Sequence, residues 1–122
     1  MGERILIVDD EKDWVKMLAM RLRHEGYQIE GAFDTIQATA QAIKLIPDLI
    51  LLDIMMPGGG GLQALKNIRA HLKTFTIPVI VLTARGDKET KEAAEGLGIS
   101  GYFIKTESTI ELVSKIKEVL GE

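Results

Sequence analysis

The residues of this chain best suited to chemistry stand at the ends of apolar runs. Two adjacent acids, Asp9 and Asp10, follow the first such run, and Asp53, Thr83 and Lys105 each end a later one. Carboxylate oxygens are ligands that hard divalent cations prefer, and neither cysteine nor a nearby histidine competes for that role. These residue types therefore predict a cation site, provided that the fold brings them to one place.

Alternating strand and helix patterns predict the elements that would position these side chains. Helical spacing fills the stretches between five short apolar runs, which cover residues 4–9, 27–32, 48–53, 77–83 and 101–105. Residues 49–52 and 79–82 are apolar at every position, as is typical of strands covered by helices on both faces. Such alternation indicates a parallel sheet with crossover helices.

The helical stretches carry recognisable caps and core faces. The first helix should follow Asp10 and bury a stripe made of Val15, Leu18, Ala19 and Leu22. The second is predicted over residues 35–45, with Thr35 as its cap and an inward face made of Ile36, Ala40 and Ile43. Three further helices are predicted over residues 62–72, 88–97 and 108–120. Gly98 should end the fourth helix, because glycine favours helix C-terminal caps.

With right-handed crossovers, these elements predict an α/β fold with a doubly wound five-stranded parallel sheet and helices on both faces. The expected form is flavodoxin-like, with strand order 2-1-3-4-5, and a smaller Rossmann variant is the alternative. Ligands of such sheets bind outside the carboxyl ends of the strands. The acids, the hydroxyl and the amine should therefore meet at that edge.

Clustered acids at such an edge need a counter-charge. Two carboxylates about 5 Å apart repel by under about 1 kcal/mol in water, and by roughly 3 kcal/mol at an effective dielectric constant of 20. Mg²⁺ suits the site best, since it takes few carboxylates and shares phosphate oxygens, while Ca²⁺ and Mn²⁺ stay open. Taken alone, Asp9 and Asp10 could equally be a solvated helix start, and Lys105 a surface residue. The joint placement at four strand ends favours the cation site.

Length and composition exclude several other classes of protein. A chain of 122 residues is expected to form one domain over residues 1–122. A formal net charge of −3 gives no basic face for nucleic acid. The chain has no cysteine, no signal-peptide pattern and no apolar run long enough to cross a membrane. We therefore expect a cytoplasmic protein without membrane insertion or direct nucleic-acid binding.

Four segments combine the candidate residues with characteristic neighbours. They are residues 7–11 (IVDDE), 51–58 (LLDIMMPG), 81–84 (VLTA) and 101–105 (GYFIK). With these segments in this order and spacing, essentially the whole chain resembles a receiver domain of two-component response regulators, similar to the stand-alone chemotaxis type. The segments are specific as a set, although each one alone is weak.

The resemblance implies a role for each candidate residue. Asp53 would accept a phosphoryl group from a histidine kinase, a phosphotransfer protein or acetyl phosphate. Asp9 and Asp10 would hold Mg²⁺ together with an oxygen of Asp53 and the backbone carbonyl of Met55. Lys105 and the Thr83 hydroxyl would contact the phosphoryl group. Phosphoryl transfer depends mainly on positioning the reacting groups and on neutralising the charge of the phosphoryl oxygens.

The resemblance also implies a switch. Thr83 would move toward the phosphoryl group and Tyr102 would turn inward, which would reshape the surface of the fourth helix, fifth strand and fifth helix. Met55, Ala84 and Arg85 would flank the phosphoryl site and tune its lifetime. The implied partners downstream are an effector protein or a fused effector domain outside this chain, and phosphorylation-dependent homodimerisation is compatible with that role. Such a domain catalyses its own phosphorylation and autodephosphorylation.

Two departures from the family pattern keep alternatives open. Thr106 follows the lysine where most members have proline, and Gly60 stands where aspartate is common. One alternative is a phosphorylation-independent interaction module of the same fold. Another is a Mg²⁺-dependent phosphohydrolase that forms an aspartyl phosphate, although such enzymes use an Asp-x-Asp motif in the first strand, whereas here Asp9 and Asp10 are adjacent.

Overall fold

The computed structural model describes residues 2–84, 86–105 and 109–122. In this part of the chain, strands and helices alternate, and a short 3₁₀ turn at Pro57–Gly59 precedes the third helix. The strands are Arg4–Val8 (β1), Gln28–Ala32 (β2), Leu49–Asp53 (β3), Val79–Thr83 (β4) and Gly101–Ile104 (β5). The helices are Lys12–His24 (α1), Thr35–Leu45 (α2), Gly60–Ala70 (α3), Lys88–Leu97 (α4) and Thr109–Val119 (α5).

The strands form a parallel sheet in the order β2-β1-β3-β4-β5, which confirms the predicted flavodoxin-like architecture. Each predicted apolar run contains one of these strands, and the strands are one or two residues shorter than the runs. The six extra residues, which lie in the connections next to the strands, are Asp9, Tyr27, Asp48, Ile77, Pro78 and Lys105. No helix in the described part of the chain has the length and hydropathy needed to cross a bilayer.

Helices cover both faces of the sheet. On one face, α2, α3 and α4 contribute small and aliphatic side chains such as Ala38, Leu65 and Ala94 to a buried cluster. On the other face, α1 and α5 contribute residues such as Leu18 and Ile116. Every residue of β3 and β4 is buried, because both strands lie inside the sheet and are covered on both sides. These two strands form a rigid base for the residues at their ends.

The predicted core face of α1 is confirmed, but that of α2 is wrong. Ile36 is 81% exposed, and the buried residues of α2 are Ala38 and Ala42. The cap also differs, since Asp34 rather than Thr35 accepts a hydrogen bond from the Gln37 N–H, at 2.7 Å. The face turned to the sheet consists of alanines, whose small side chains let the helix backbone approach closely.

Thr35 has a different role from the predicted cap. Its hydroxyl donates to the carbonyl of Gly60 at 2.9 Å and so joins the start of α2 to the start of α3. Helix α3 begins at Gly60 and ends at Ala70, two residues earlier at each end than predicted. Gly98 does end α4, with a φ of 92° that favours glycine, as predicted. Residue 108, where the fifth helix is predicted to begin, lies outside the described residues.

Candidate functional site

Three carboxylates meet at the carboxyl edge of the sheet. Asp9 follows β1 and Asp53 ends β3, and these strands are neighbours in the sheet. One carboxylate oxygen each from Asp9, Asp10 and Asp53 lie within 4.8 Å of one another. Asp9 and Asp53 are buried, whereas Asp10 is exposed, so the cluster has a closed floor and one side open to solvent.

Both carboxylate oxygens of Asp9 contact another residue. Its Oδ1 accepts a hydrogen bond from the Glu11 backbone N–H at 2.9 Å, and its Oδ2 lies 2.5 Å from the Lys105 ammonium. Burial raises the pKa of the Asp9 carboxyl above its usual range, and the hydrogen bond with Lys105 only partly opposes this effect. Asp9 is therefore costly to keep charged without a nearby cation.

Asp53 has one oxygen fixed and one directed at the cluster. Its Oδ1 accepts a hydrogen bond from the Met55 backbone N–H at 2.9 Å. Its Oδ2 faces the Lys105 ammonium at 3.4 Å. The backbone hydrogen bond holds the carboxylate plane in place, so the second oxygen has a defined direction. Met55 itself is 42% exposed and lies at the open side of the site.

Lys105 lies among three carboxylates. Its ammonium is 2.5 Å from Asp9, 2.9 Å from Glu11 and 3.4 Å from Asp53, and its side chain is only 9% exposed. It also lies 5.3 Å from the centroid of the Trp14 ring. Burial by itself would lower the pKa of this ammonium, but the hydrogen bonds with Asp9 and Glu11 and the charge of Asp53 outweigh burial and raise it. Lys105 is thus a permanent cation of the site.

The donor set fits a hard divalent cation. One ammonium does not balance the charges of Asp9, Asp10, Asp53 and Glu11, and within the described residues Lys105 is the only partner of Asp9 Oδ2. The three clustered oxygens are of the type that Mg²⁺ and similar ions prefer, and the open side leaves room for water ligands. Asp9, Asp10 and Asp53 are therefore the residues that could hold such an ion.

Thr83 and Tyr102 lie on the adjoining strands. The side chain of Thr83 is fully buried at the end of β4, and its carbonyl accepts a hydrogen bond from the Lys105 N–H at 2.6 Å. Tyr102 is partly exposed, but its hydroxyl is buried and has no hydrogen-bond partner among the described residues. A Cβ on Gly86 would overlap this hydroxyl. Tyr102 therefore lies against the segment that follows β4.

The structure brings together most of the candidates that the sequence indicated. Asp9, Asp10, Asp53 and Lys105 share one cluster, and Met55 borders it. Ala84 is exposed directly after Thr83, whereas Arg85 and Thr106 lie outside the described residues.

Sequence reasoning missed the contacts that Glu11 and Trp14 make with Lys105. The available signal was their position, because both lie within five residues of Asp10 at the start of α1.

Comparison with known proteins identifies relatives over nearly the whole chain. The family model described as "Response regulator receiver domain" matches residues 5–117. The phosphate regulon transcriptional regulatory protein PhoB of Escherichia coli strain K12 is 41% identical over 120 residues, which cover 98% of this chain and 52% of PhoB. The chain therefore spans about half the length of the curated relatives it matches.

Solved structures show the same fold. A putative response regulator from Chloroflexus aurantiacus superposes with a TM-score of 0.89 at 34% identity, over 100% of both chains. The receiver domain of the sensor histidine kinase PA1611 from Pseudomonas aeruginosa superposes with a TM-score of 0.88 at 30% identity, also over 100% of both chains. That structure has a magnesium ion coordinated in its active-site cleft.

Proposed function

Because the chain belongs to the response regulator receiver domain family, we propose that it is a signalling switch that accepts a phosphoryl group on Asp53. The observation that carries this proposal is the cluster of Asp9, Asp10 and Asp53 oxygens within 4.8 Å, with the Lys105 ammonium beside it. We take residues 1–122 to act as one receiver domain. The phosphoryl donor would be a histidine kinase, a phosphotransfer protein or a small molecule such as acetyl phosphate.

Asp53 has the properties of a nucleophile in a fixed position. The Met55 N–H holds one oxygen, and the other faces the open cluster. In the proposed step, an Asp53 oxygen forms a bond to phosphorus while the bond from phosphorus to the donor's imidazole nitrogen breaks. The departing imidazole keeps that electron pair and takes up a proton. No other residue needs to become covalently modified.

Asp9, Asp10 and Asp53 would hold Mg²⁺, with the Met55 carbonyl as a further ligand. The ion would supply positive charge against the phosphoryl oxygens. The PA1611 receiver domain, which has magnesium in its active-site cleft, supports this assignment by similarity. In this chain, Asp9 and Asp53 would be the buried ligands of the ion and Asp10 the exposed one.

Lys105 and Thr83 would contact the phosphoryl group. The Lys105 ammonium already faces Asp53 Oδ2. The backbone N–H of Lys105 donates a hydrogen bond to the Thr83 carbonyl and so joins the ends of β4 and β5. A change in charge at Asp53 would thereby act on the ends of both strands. Met55, Ala84 and Arg85 would control the access of water to the phosphoryl group and so its lifetime.

The output would be a change in the surface of α4, β5 and α5. Thr83 would move toward the phosphoryl group and Tyr102 would take up the space that this movement leaves. Because the chain spans about half of relatives such as PhoB, a fused effector domain or a separate effector protein would read this surface. A phosphorylation-dependent homodimer of the receiver is a further form that the output could take.

Phosphorylation by acetyl phosphate tests the proposal directly. Wild type incubated with acetyl phosphate and Mg²⁺ should gain the mass of one acid-labile phosphoryl group, and chelation of the metal should prevent this. Asp53→Asn should gain none, because an amide is a poor nucleophile. Asp48→Asn, which alters an exposed acid at the opposite end of β3, is the matched control and should label like wild type.

Two results would contradict the proposal. Equal labelling of wild type and Asp53→Asn would show that another residue carries the phosphoryl group. Absence of labelling in wild type, together with unchanged amide chemical shifts on adding beryllofluoride and Mg²⁺, would favour the phosphorylation-independent interaction module instead.

A further inference from the structure

Glu11 occupies the N-cap position of α1 but does not cap the helix. Its side chain makes no capping hydrogen bond, and its Oε1 instead lies 2.9 Å from the Lys105 ammonium. These two residues are 94 positions apart in the chain. Serine, threonine, aspartate or asparagine at this position would use the side chain to satisfy the first N–H groups of the helix. The Glu11 side chain is thus directed at the site rather than at its own helix.

This contact determines where the Lys105 ammonium lies. The ammonium is 2.5 Å from Asp9 and 2.9 Å from Glu11, but 3.4 Å from Asp53. It is therefore displaced from Asp53 toward Asp9 and Glu11. Any cation held by Asp9 would weaken the contact of Asp9 with the ammonium. Glu11 would then be the remaining acid that draws Lys105 away from Asp53.

We propose that Glu11 is a positioning residue that holds the Lys105 ammonium away from Asp53 and competes with the phosphoryl group for it. This inference rests on the proposed function, because it concerns how Lys105 reaches a phosphoryl group on Asp53. Among the described residues, the Glu11 side chain is paired with Lys105 and not with Asp53. It acts through Lys105 and sets how readily the ammonium becomes available.

The size of the effect follows from the exposure of the two partners. The Glu11 side chain is 62% exposed, whereas that of Lys105 is 9% exposed. An ion pair with one partner in solvent is screened and modest in strength, which corresponds to a two- to fivefold change in an equilibrium constant. Glu11 should therefore change ligand affinity at the site by only a small factor, and its replacement should not abolish binding.

Replacing Glu11 by glutamine should change two affinities in opposite directions. Without the carboxylate, the Lys105 ammonium is freer to move toward Asp53, so beryllofluoride at saturating Mg²⁺ should bind about two- to fivefold more tightly. Mg²⁺ alone should bind about two- to fivefold more weakly, because the site loses a negative charge and Lys105 competes more strongly for Asp9 and Asp53. A general loss of structure would weaken both ligands together.

Trp14 provides the measurement, since it is the chain's single tryptophan and its ring lies 5.3 Å from the Lys105 ammonium. Its fluorescence should report both titrations, and amide chemical shifts of the site provide an independent readout. The matched control is Asp13→Asn, which removes one charge from an exposed acid in the first turn of the same helix. It should leave beryllofluoride affinity unchanged. Glu11→Asp keeps the charge and should restore most of the Mg²⁺ affinity.

Titrations at different ionic strengths show whether Glu11 acts through its charge or through a change in structure. The difference between wild type and Glu11→Gln should shrink as ionic strength rises from roughly 0.05 M to 1 M, since screening weakens the exposed pair. The inference is overturned if wild type binds beryllofluoride and Glu11→Gln binds it with equal or lower affinity. Wild type that binds no beryllofluoride at all would instead contradict the proposed function.

Discussion

The backbone of α3 approaches the chain after β3 so closely that a Cβ on Gly61 would lie 2.5 Å from the Cα of Ile54. Ile54 directly follows the proposed phosphoacceptor, and its carbonyl is equally close to the same position. Only glycine allows this approach without moving backbone. The start of α3 is therefore packed directly against the end of β3, beside the acid cluster.

Replacing Gly61 by alanine should destabilise the fold by about 1–3 kcal/mol, because the added methyl group overlaps backbone atoms that cannot rotate away. Gly96→Ala in α4 is the matched control, since a Cβ there meets no atom within 4 Å. It should stabilise the protein by about 0.5–1 kcal/mol through helix propensity. Urea unfolding of the two variants measures both effects. Equal stability of the two variants would contradict the close approach.

The two tyrosines differ in what their hydroxyl groups contact. The Tyr27 hydroxyl donates to Glu122 at 2.7 Å, whereas the buried Tyr102 hydroxyl has no partner among the described residues. Tyr27→Phe should cost about 1 kcal/mol, and Tyr102→Phe should be neutral or slightly stabilising. Thermal unfolding monitored by circular dichroism compares them. A larger loss for Tyr102→Phe than for Tyr27→Phe would rule out this assignment of partners.

Arg69 joins α3, the following loop and the end of α4. Its guanidinium donates to the carbonyls of Phe75, Ile77 and Gly98, at distances from 2.8 to 3.2 Å. Arg69→Met should lower the free energy of unfolding by about 2–3 kcal/mol, since these carbonyls lose a charged donor.

Arg69→Lys should recover less than half of that loss, because a point ammonium cannot reproduce the fork geometry. Arg21→Met is the control, since Arg21 is exposed and its long pair with Glu25, at 3.9 Å, should be worth under about 0.5 kcal/mol. Urea unfolding gives all three values, and a loss for Arg69→Met no greater than that for Arg21→Met would refute the bridging role.

Addition of Mg²⁺ should raise the stability of the wild-type protein, since the ion would relieve repulsion in the acid cluster and would bind only the folded chain. At one hundred times its dissociation constant, the gain should approach about 2.7 kcal/mol. Asp10→Asn should remove most of this gain, and chelation should reverse it in wild type. Thermal unfolding with and without Mg²⁺ provides the measurement. The metal assignment fails if Asp10→Asn and Asp13→Asn respond to Mg²⁺ alike.

Tyr27 should make the protein sensitive to alkaline pH. Burial raises the pKa of its phenol above the ordinary value, and the hydrogen bond with Glu122 and nearby negative charges add to the effect. The folded state therefore keeps this proton when the unfolded chain, with a pKa of about 10, has lost it.

This contribution to stability is fully present below about pH 10 and is lost above it, at up to about 1.4 kcal/mol per pH unit. The stability difference between wild type and Tyr27→Phe should therefore narrow between about pH 10 and pH 11. Urea unfolding at these pH values, with pH 8 as reference, measures it. A constant difference across the range would show that Tyr27 titrates normally.

Local sequence patterns predicted the strands and the face of α1 well, but not the face of α2. The uninterrupted apolar residues of β3 and β4 predicted buried strands, and both strands are buried. The apolar stripe that begins at Val15 likewise predicted the buried face of α1. In α2, Ile36 looked like a core residue because of its type, yet it is exposed and Ala38 is buried. Which face of α2 is buried depends on how closely the helix backbone packs against the sheet and α3. The hydrophobicity of the sequence alone does not predict that packing distance.

The sequence by itself determined the alternation of elements, the parallel sheet and the four strand ends that carry acids, hydroxyl and amine, and it favoured the strand order that the structure has. Those features follow from local periodicity and from the handedness of crossover connections. Only the tertiary structure decided that the Lys105 ammonium lies nearer to Asp9 and Glu11 than to Asp53. That position is set by competition among carboxylates contributed by separate segments, and such a balance exists only when the chain has folded.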